Sequence, residues 1–200
     1  MSMQGNIEPM PAENLRTKIL DGAIALFIDK GIDNVTTREL TEHVGISRSH
    51  IYHYFRDWRS LRLEAVERFM QADLDAFKET IAGFAPDAAL DAFITSLPAT
   101  QDADWQLYNA VWTQAQHDPA YADLAMSNMN RWFSLLEALI ETGLSQGLYR
   151  QVDVARTARM IGGAVNGYAD ILSVNPTAAG FQQAKEDLRY LVKQLLSVAE

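Results

Sequence analysis

The chain has 200 residues, 48% of them apolar, and a formal charge of −9 at neutral pH. That is enough apolar material for one large or two modest cores and too much for a disordered chain. There is no cysteine, which excludes a disulfide framework, a thiolate metal site and a thiol nucleophile. Residues 1–12 lack a basic-then-apolar leader pattern and no apolar run is long enough to span a bilayer, so a cytoplasmic location without membrane association is expected. The negative charge is unevenly spread: residues 1–60 hold seven Lys/Arg against eight Asp/Glu, and residues 61–200 hold ten against eighteen.

In chain order, Met1 to Glu13, with Pro9 and Pro11, reads as a loose arm. Leu15, Ile19, Ala23, Ile24 and Phe27 recur at helical spacing, with Asn14 as cap and Gly31 as terminator of a first helix. Thr36-Thr37-Arg38-Glu39 has capping-box form and opens a second helix that runs to about Val44. Gly45-Ile46 leaves room only for a sharp corner, and Ser47 is a natural cap for a third helix from Arg48 to about Phe55. Asp57 caps a long fourth helix to near Gly83. Helices follow over Pro86–Leu97, Trp105–Gln116, Pro119 to about Gly147, Asp153–Val174 and about Thr177–Val198, punctuated by Pro119 and Asn175-Pro176. No segment alternates with period two, so the predicted class is all-α with about nine helices: an arm at 1–13, a three-helix helix-turn-helix unit at 14–60 and a helical bundle at 61–200.

Two capped helices joined by a glycine corner within twenty residues give the geometry that presses one helix into a major groove. Their amino termini, at Thr37 and Ser47, carry free amide donors and partial positive charge suited to phosphate. On the third helix Ile51 and Phe55 face inward, while Arg48, Ser49, His50, Tyr52 and His53 present donors, acceptors and rings. A small helical hairpin with a solvated face would share these features, and composition leaves the two readings comparable. The string Val35-Thr36-Thr37-Arg38-Glu39-Leu40, Val44-Gly45-Ile46-Ser47, Ile51-Tyr52-His53-Tyr54-Phe55 and Leu61 resembles the amino-terminal domain of the tetracycline-repressor (TetR) family. The resemblance implies base contacts from Arg38, Arg48, Ser49 and Tyr52 and phosphate contacts from Thr37, Ser47, His53 and Tyr54, with His50 suited to either. Departures from the family pattern are Thr41, Val44 and Ser49, where smaller residues are usual, and Trp58, where a phosphate-binding lysine is common. Packing through its ring is the expectation for Trp58.

Trp105, Trp112, Gln116-His117-Asp118-Pro119, Gly147 and Gly167 resemble the carboxy-terminal domain of BetI-type members of the same family. The resemblance implies a homodimer through the last two helices, with Ile161-Gly162-Gly163-Ala164-Val165 permitting close approach and Leu188, Leu191, Leu195 and Leu196 as an apolar stripe. Such a dimer suits a pseudo-palindromic double-stranded operator. It also implies a small-molecule effector bound between the body's helices. Candidates to touch it are Phe69 on the fourth helix and Trp105, Tyr108, Asn109 and Trp112 on the sixth. Met126, Met129 and Trp132 on the seventh and Asn166, Tyr168 and Asp170 on the eighth complete the set. Only a minority are expected to do so, because Met and aromatic stripes at helical spacing are more often core. The acidic body with its tryptophans suits a cationic ligand, and BetI-type members take their name from a choline-responsive regulator.

No catalytic constellation is legible. There is no HExxH and no glycine-rich phosphate loop, and of the four histidines three lie in the helix-turn-helix. His50 and His53 stand one turn apart with no third ligand, so no metal and no cofactor is expected, and His117 reads as a turn residue. A repressor released by an inducer is the leading expectation. A helical DNA-binding dimer without sensing, or an activator acting through a protein partner, remains open.

Overall fold

A computed structural model describes residues 12–97 and 103–197. Among them it forms nine helices and no strand: α1 Ala12–Lys30, α2 Thr37–Val44, α3 Arg48–Tyr54, α4 Trp58–Ile81, α5 Pro86–Thr95, α6 Ala103–Ala115, α7 Pro119–Ser145, α8 Val154–Val174 and α9 Ala178–Leu196. The fold is all-α, as the periodicity predicts. The chain divides into two compact units, one ending at Phe69 and the other beginning at Met70, so α4 contributes to both. Most of the predicted arm lies outside the described residues. Ala12 and Glu13 are already helical, which puts Asn14 inside α1 instead of at its cap.

The first unit is built on caps. Gly31 ends α1 at φ 84° with its N–H on the Phe27 carbonyl. At α2 the Glu39 N–H donates to the Thr36 hydroxyl, and the Glu39 carboxylate accepts from the Thr36 N–H at 2.9 Å, satisfying two orphan donors at once. Gly45 then takes φ 76° and donates back to Thr41, a left-handed conformation that a residue with a Cβ adopts at a cost. This closes α2 in one residue and turns the chain directly into α3. Ser47 holds the cap position of α3, but its hydroxyl makes no capping bond; it pairs instead with Ser49 Oγ at 2.8 Å and His50 Nδ1 at 2.7 Å. At α4 the expected Asp57 cap forms reciprocally, Ser60 N–H donating to Asp57 and the Asp57 N–H to the Ser60 hydroxyl. Ile19, Ala23, Phe27, Leu40, Ile51 and Leu61 are buried as the unit's core, and the Trp58 ring packs edge-on against Phe27.

In the second unit α7 packs against α5, α6 and α8, and α9 against α8 and α5. Asp118, Asp153 and Thr177 cap α7, α8 and α9 through side-chain oxygens. Leu90, Phe93, Ile94, Leu136, Ile140, Ala158 and Ile161 form the core with Leu188 and Leu196 of α9. Two members of the apolar stripe predicted to face a second protomer are therefore inside this one. A helix with a single apolar stripe closes its own core first, and Arg150 seals the end of α9 by donating to the Gln194 and Leu195 carbonyls.

Two outcomes follow. An added Cβ at Gly22 of α1 would come within 2.6 Å of Val44 Cγ2, so Gly22→Ala should lower unfolding stability by about 1–3 kcal/mol against a helix-propensity gain of about 1, read by urea denaturation. The Glu39 carboxyl is held at about 2, below its ordinary 4.5, chiefly by the Thr36 N–H and next by Lys30. A depressed folded value means the contribution is full above about 4.5 and lost as pH falls toward about 2. The melting temperatures of wild type and Glu39→Ala should differ at pH 7 and converge through that window; a gap undiminished at pH 2 would contradict the assignment.

Candidate functional site

The seven residues of α3 expose almost everything they carry. Ile51 is fully buried and anchors the helix, while Ser47 ahead of it and Arg48, Ser49, His50, Tyr52 and His53 are exposed and Tyr54 is half-buried, edge-on to His53 at 5.0 Å. A tyrosine left 46% exposed on so short a helix spends apolar area on the solvent side. The Arg48 guanidinium lies over its ring at 5.9 Å, and hydrogen bonds from Arg48 and Thr37 hold the Tyr52 hydroxyl's pKa below its ordinary value. Thr37, half-buried at the start of α2, is thereby joined to α3. Arg38 is 85% exposed at its side chain and paired with Glu42 at 2.8 Å, a contact that raises its pKa further.

That pairing is general in this unit. Arg16 pairs with Glu64, Lys30 with Glu39, Arg56 with Asp57, Arg62 with Asp33 and Arg68 with Asp21. The balanced charge count of the sequence is thus realised as contacts. Among the described residues no group of three or more His, Asp or Glu side chains converges to hold a metal ion.

The second unit contains a cavity of about 340 Å³ walled by α4, α5, α6, α7 and α8. Phe93 meets Phe77 and Trp132 edge to face at 5.9 and 6.0 Å between centroids, Phe77 tilts against Trp132 at 5.4 Å, and Trp105 tilts against Tyr108 at 5.8 Å. Of the predicted contacts, Trp105, Tyr108, Trp112, Met129, Trp132 and Asn166 line this space. Three do not. Phe69 is buried one turn before Asp73, where the α4 wall begins. Asn109 is rotated off the wall by the helical step of about 100° from Tyr108, and Asp170 is exposed. Met126 is likewise exposed outside it, and the Tyr168 hydroxyl donates to Asp187 of α9.

Apart from Asn166, the acids and amide that line the cavity were missed from the sequence. Asp73 and Asp104 are both exposed and both line it, so each lies at an opening. Asn128 is buried in the wall. Its signal was present: it stands four residues after Leu124 and four before Trp132, a polar residue in an apolar stripe. The Tyr108 hydroxyl joins these parts, donating to Asp73 Oδ2 at 2.7 Å with the Asn128 and Trp132 side chains within hydrogen-bonding reach. Burial and the nearby carboxylate raise its pKa strongly, so it stays protonated. The described lining holds no Lys, Arg or His.

Comparison with known proteins agrees with this division. Residues 19–65 match the family model for bacterial regulatory proteins of the tetR family, and residues 86–197 match that for the BetI-type transcriptional repressor, C-terminal. The chain is 26% identical over 163 residues to the HTH-type transcriptional repressor KstR2 of Rhodococcus jostii, covering 76% of this chain and 80% of that one. It is 28% identical over 131 residues to the HTH-type transcriptional regulator BetI of Cronobacter sakazakii, covering 62% and 64%. In structure it is similar to a transcriptional regulator of Saccharomonospora viridis solved in complex with choline, with a TM-score of 0.78 at 20% identity over 94% of this chain and 100% of the other. No described helix is long and apolar enough to cross a membrane. The chain belongs to the TetR family of bacterial transcriptional regulators, DNA-binding proteins and not enzymes, and carries a BetI-type carboxy-terminal domain.

Proposed function

We propose that this regulator represses transcription as a homodimer on a pseudo-palindromic operator and is released when an organic cation occupies the cavity of the second unit. Residues 14–60 then form the DNA-binding domain and 61–200 the sensing and dimerising domain. Arg38, Arg48, Ser49 and Tyr52 read base edges, and Thr37, Ser47, His53 and Tyr54 fix register on phosphates, with His50 beside them. The observation that carries the reading is the presence in one chain of an exposed polar α3 and an acid-rimmed aromatic cavity whose described lining has no base. Aromatic faces and carboxylates together favour a cation, and the choline bound by the Saccharomonospora viridis neighbour supports that class.

Dimerisation through α8 and α9 is supported by apolar surface the protomer leaves uncovered: Met160, Ile171 at 63% exposure and Val174 at 86% on α8, and Tyr190 on α9. These residues, with exposed Gly163 and Gly167, replace the leucine stripe as the proposed contact. Release follows if the ligand prefers a state in which the two α3 helices no longer match successive major grooves, since only differential affinity shifts an equilibrium. Because α4 holds Asp73 of the cavity and runs back to Trp58 of the first unit, it is the proposed lever.

Selection of an operator from a randomised DNA pool, followed by titration with choline, tests both halves. Arg48→Ala should weaken operator binding by about tenfold or more and relax preference at one base position. Glu42→Gln releases Arg38 from its ion pair and should steepen the salt dependence of DNA binding by about one unit of log–log slope. Asp104→Asn should weaken choline binding, read by calorimetry, by about tenfold while leaving operator affinity unchanged. A dimer that selects no sequence above bulk DNA would sink the reader. Cations that bind without loosening operator binding would leave a DNA-binding dimer that does not sense them.

A further inference from the structure

The cation reading, on which this inference rests, leaves the Asn128 carbonyl in the cavity unaccounted for. Asn128 of α7 is 3% exposed and lines the cavity, and its Oδ1 has no hydrogen-bond partner. A buried carbonyl left unpaired is a standing penalty that folded proteins seldom carry without a use.

The hydrogen-bond chain around Tyr108 decides which end of the amide is left over. Tyr108 has one proton and gives it to Asp73 Oδ2 at 2.7 Å; an ionised carboxylate only accepts. The phenol oxygen then has only lone pairs for its other neighbours, Trp132 and Asn128. An indole nitrogen only donates, which suits it. Asn128 must likewise turn its –NH2 toward Tyr108, because the reversed amide would set oxygen against oxygen. Its carbonyl is thereby left as a buried acceptor in the cavity wall.

We infer that Asn128 is the specificity-determining acceptor of the cavity, taking a hydrogen bond from a hydroxyl or N–H group carried by the cationic ligand. The ligand class narrows accordingly. A fully alkylated cation leaves the Asn128 carbonyl unpaired, and a cation whose only polar group is a carboxylate meets that carbonyl oxygen and the charges of Asp73 and Asp104. A small alcohol- or amine-bearing cation meets all three with the right sign.

The test is calorimetric titration of the full-length protein with choline and with propyltrimethylammonium, which keeps the charge and size but replaces the hydroxyl by a methyl group. Wild type should prefer choline by about tenfold or more. Asn128→Leu should bring the ratio close to one while changing propyltrimethylammonium binding by less than about threefold, which a general loss of packing would not do. Tyr108→Phe keeps the ring but removes the oxygen that orients the amide, and should reduce the same ratio; it carries the test if Asn128→Leu does not fold. A wild-type ratio near one, or a ratio retained in the variant, overturns the donor requirement and leaves the cation reading standing. Failure of both cations to bind overturns both.

Discussion

One buried hydroxyl organises the body. Tyr108 reaches from α6 to Asp73 of α4 and lies within hydrogen-bonding reach of Asn128 and Trp132 of α7, so three of the five helices that wall the cavity meet at a single oxygen. A phenol this deep has to be satisfied, and satisfying it sets the direction of the other hydrogen bonds around it. Asp73 is exposed while Tyr108 is buried, so their bond runs from the rim of the cavity into its wall, beside the aromatic cluster of Phe77, Phe93 and Trp132.

The amino-terminal unit solves a different problem, that of a DNA reader without surplus positive charge. Its cations are mostly engaged by nearby carboxylates, and exposed pairs of this kind are worth little individually. They are therefore easily exchanged for phosphate, but each exchange leaves a carboxylate behind. On the proposed reading, a unit built so depends less on counterion release and more on where Arg48, Tyr52 and the α2 terminus are held. Trp58 continues the theme: packed on Phe27, it gives the first unit a ring where the family resemblance implies a lysine.

How much of this was legible depended on the range of the interaction. Thr36 with Glu39, Gly45, Asp57, Asp118, Asp153 and Thr177 act within four residues of themselves, so the helix boundaries and the helix-turn-helix followed from the string. Asn14 was misread, since α1 began before its supposed cap, and Ser47 took the predicted cap position but its hydroxyl had nearer partners in Ser49 and His50. The tryptophans, Tyr108 and Met129 of the cavity were legible because such residues at helical spacing are unusual enough to notice, whereas Phe77, Phe93 and Phe133 of its wall read as ordinary core.

What the sequence determined by itself was therefore the class, the order of helices and the exposed face of α3, all set by short-range periodicity and capping. What only tertiary structure decided was which of two similar stripes became core. Leu188 and Leu196 turned inward to close the protomer, leaving Ile171, Val174 and Tyr190 outside, because burial depends on what the other helices have already covered. It likewise decided that Asp73, Asp104 and Asn128, dispersed over 56 residues of sequence, line one space with Tyr108. A hydrogen bond between α4 and α6 has no period in the chain that would announce it.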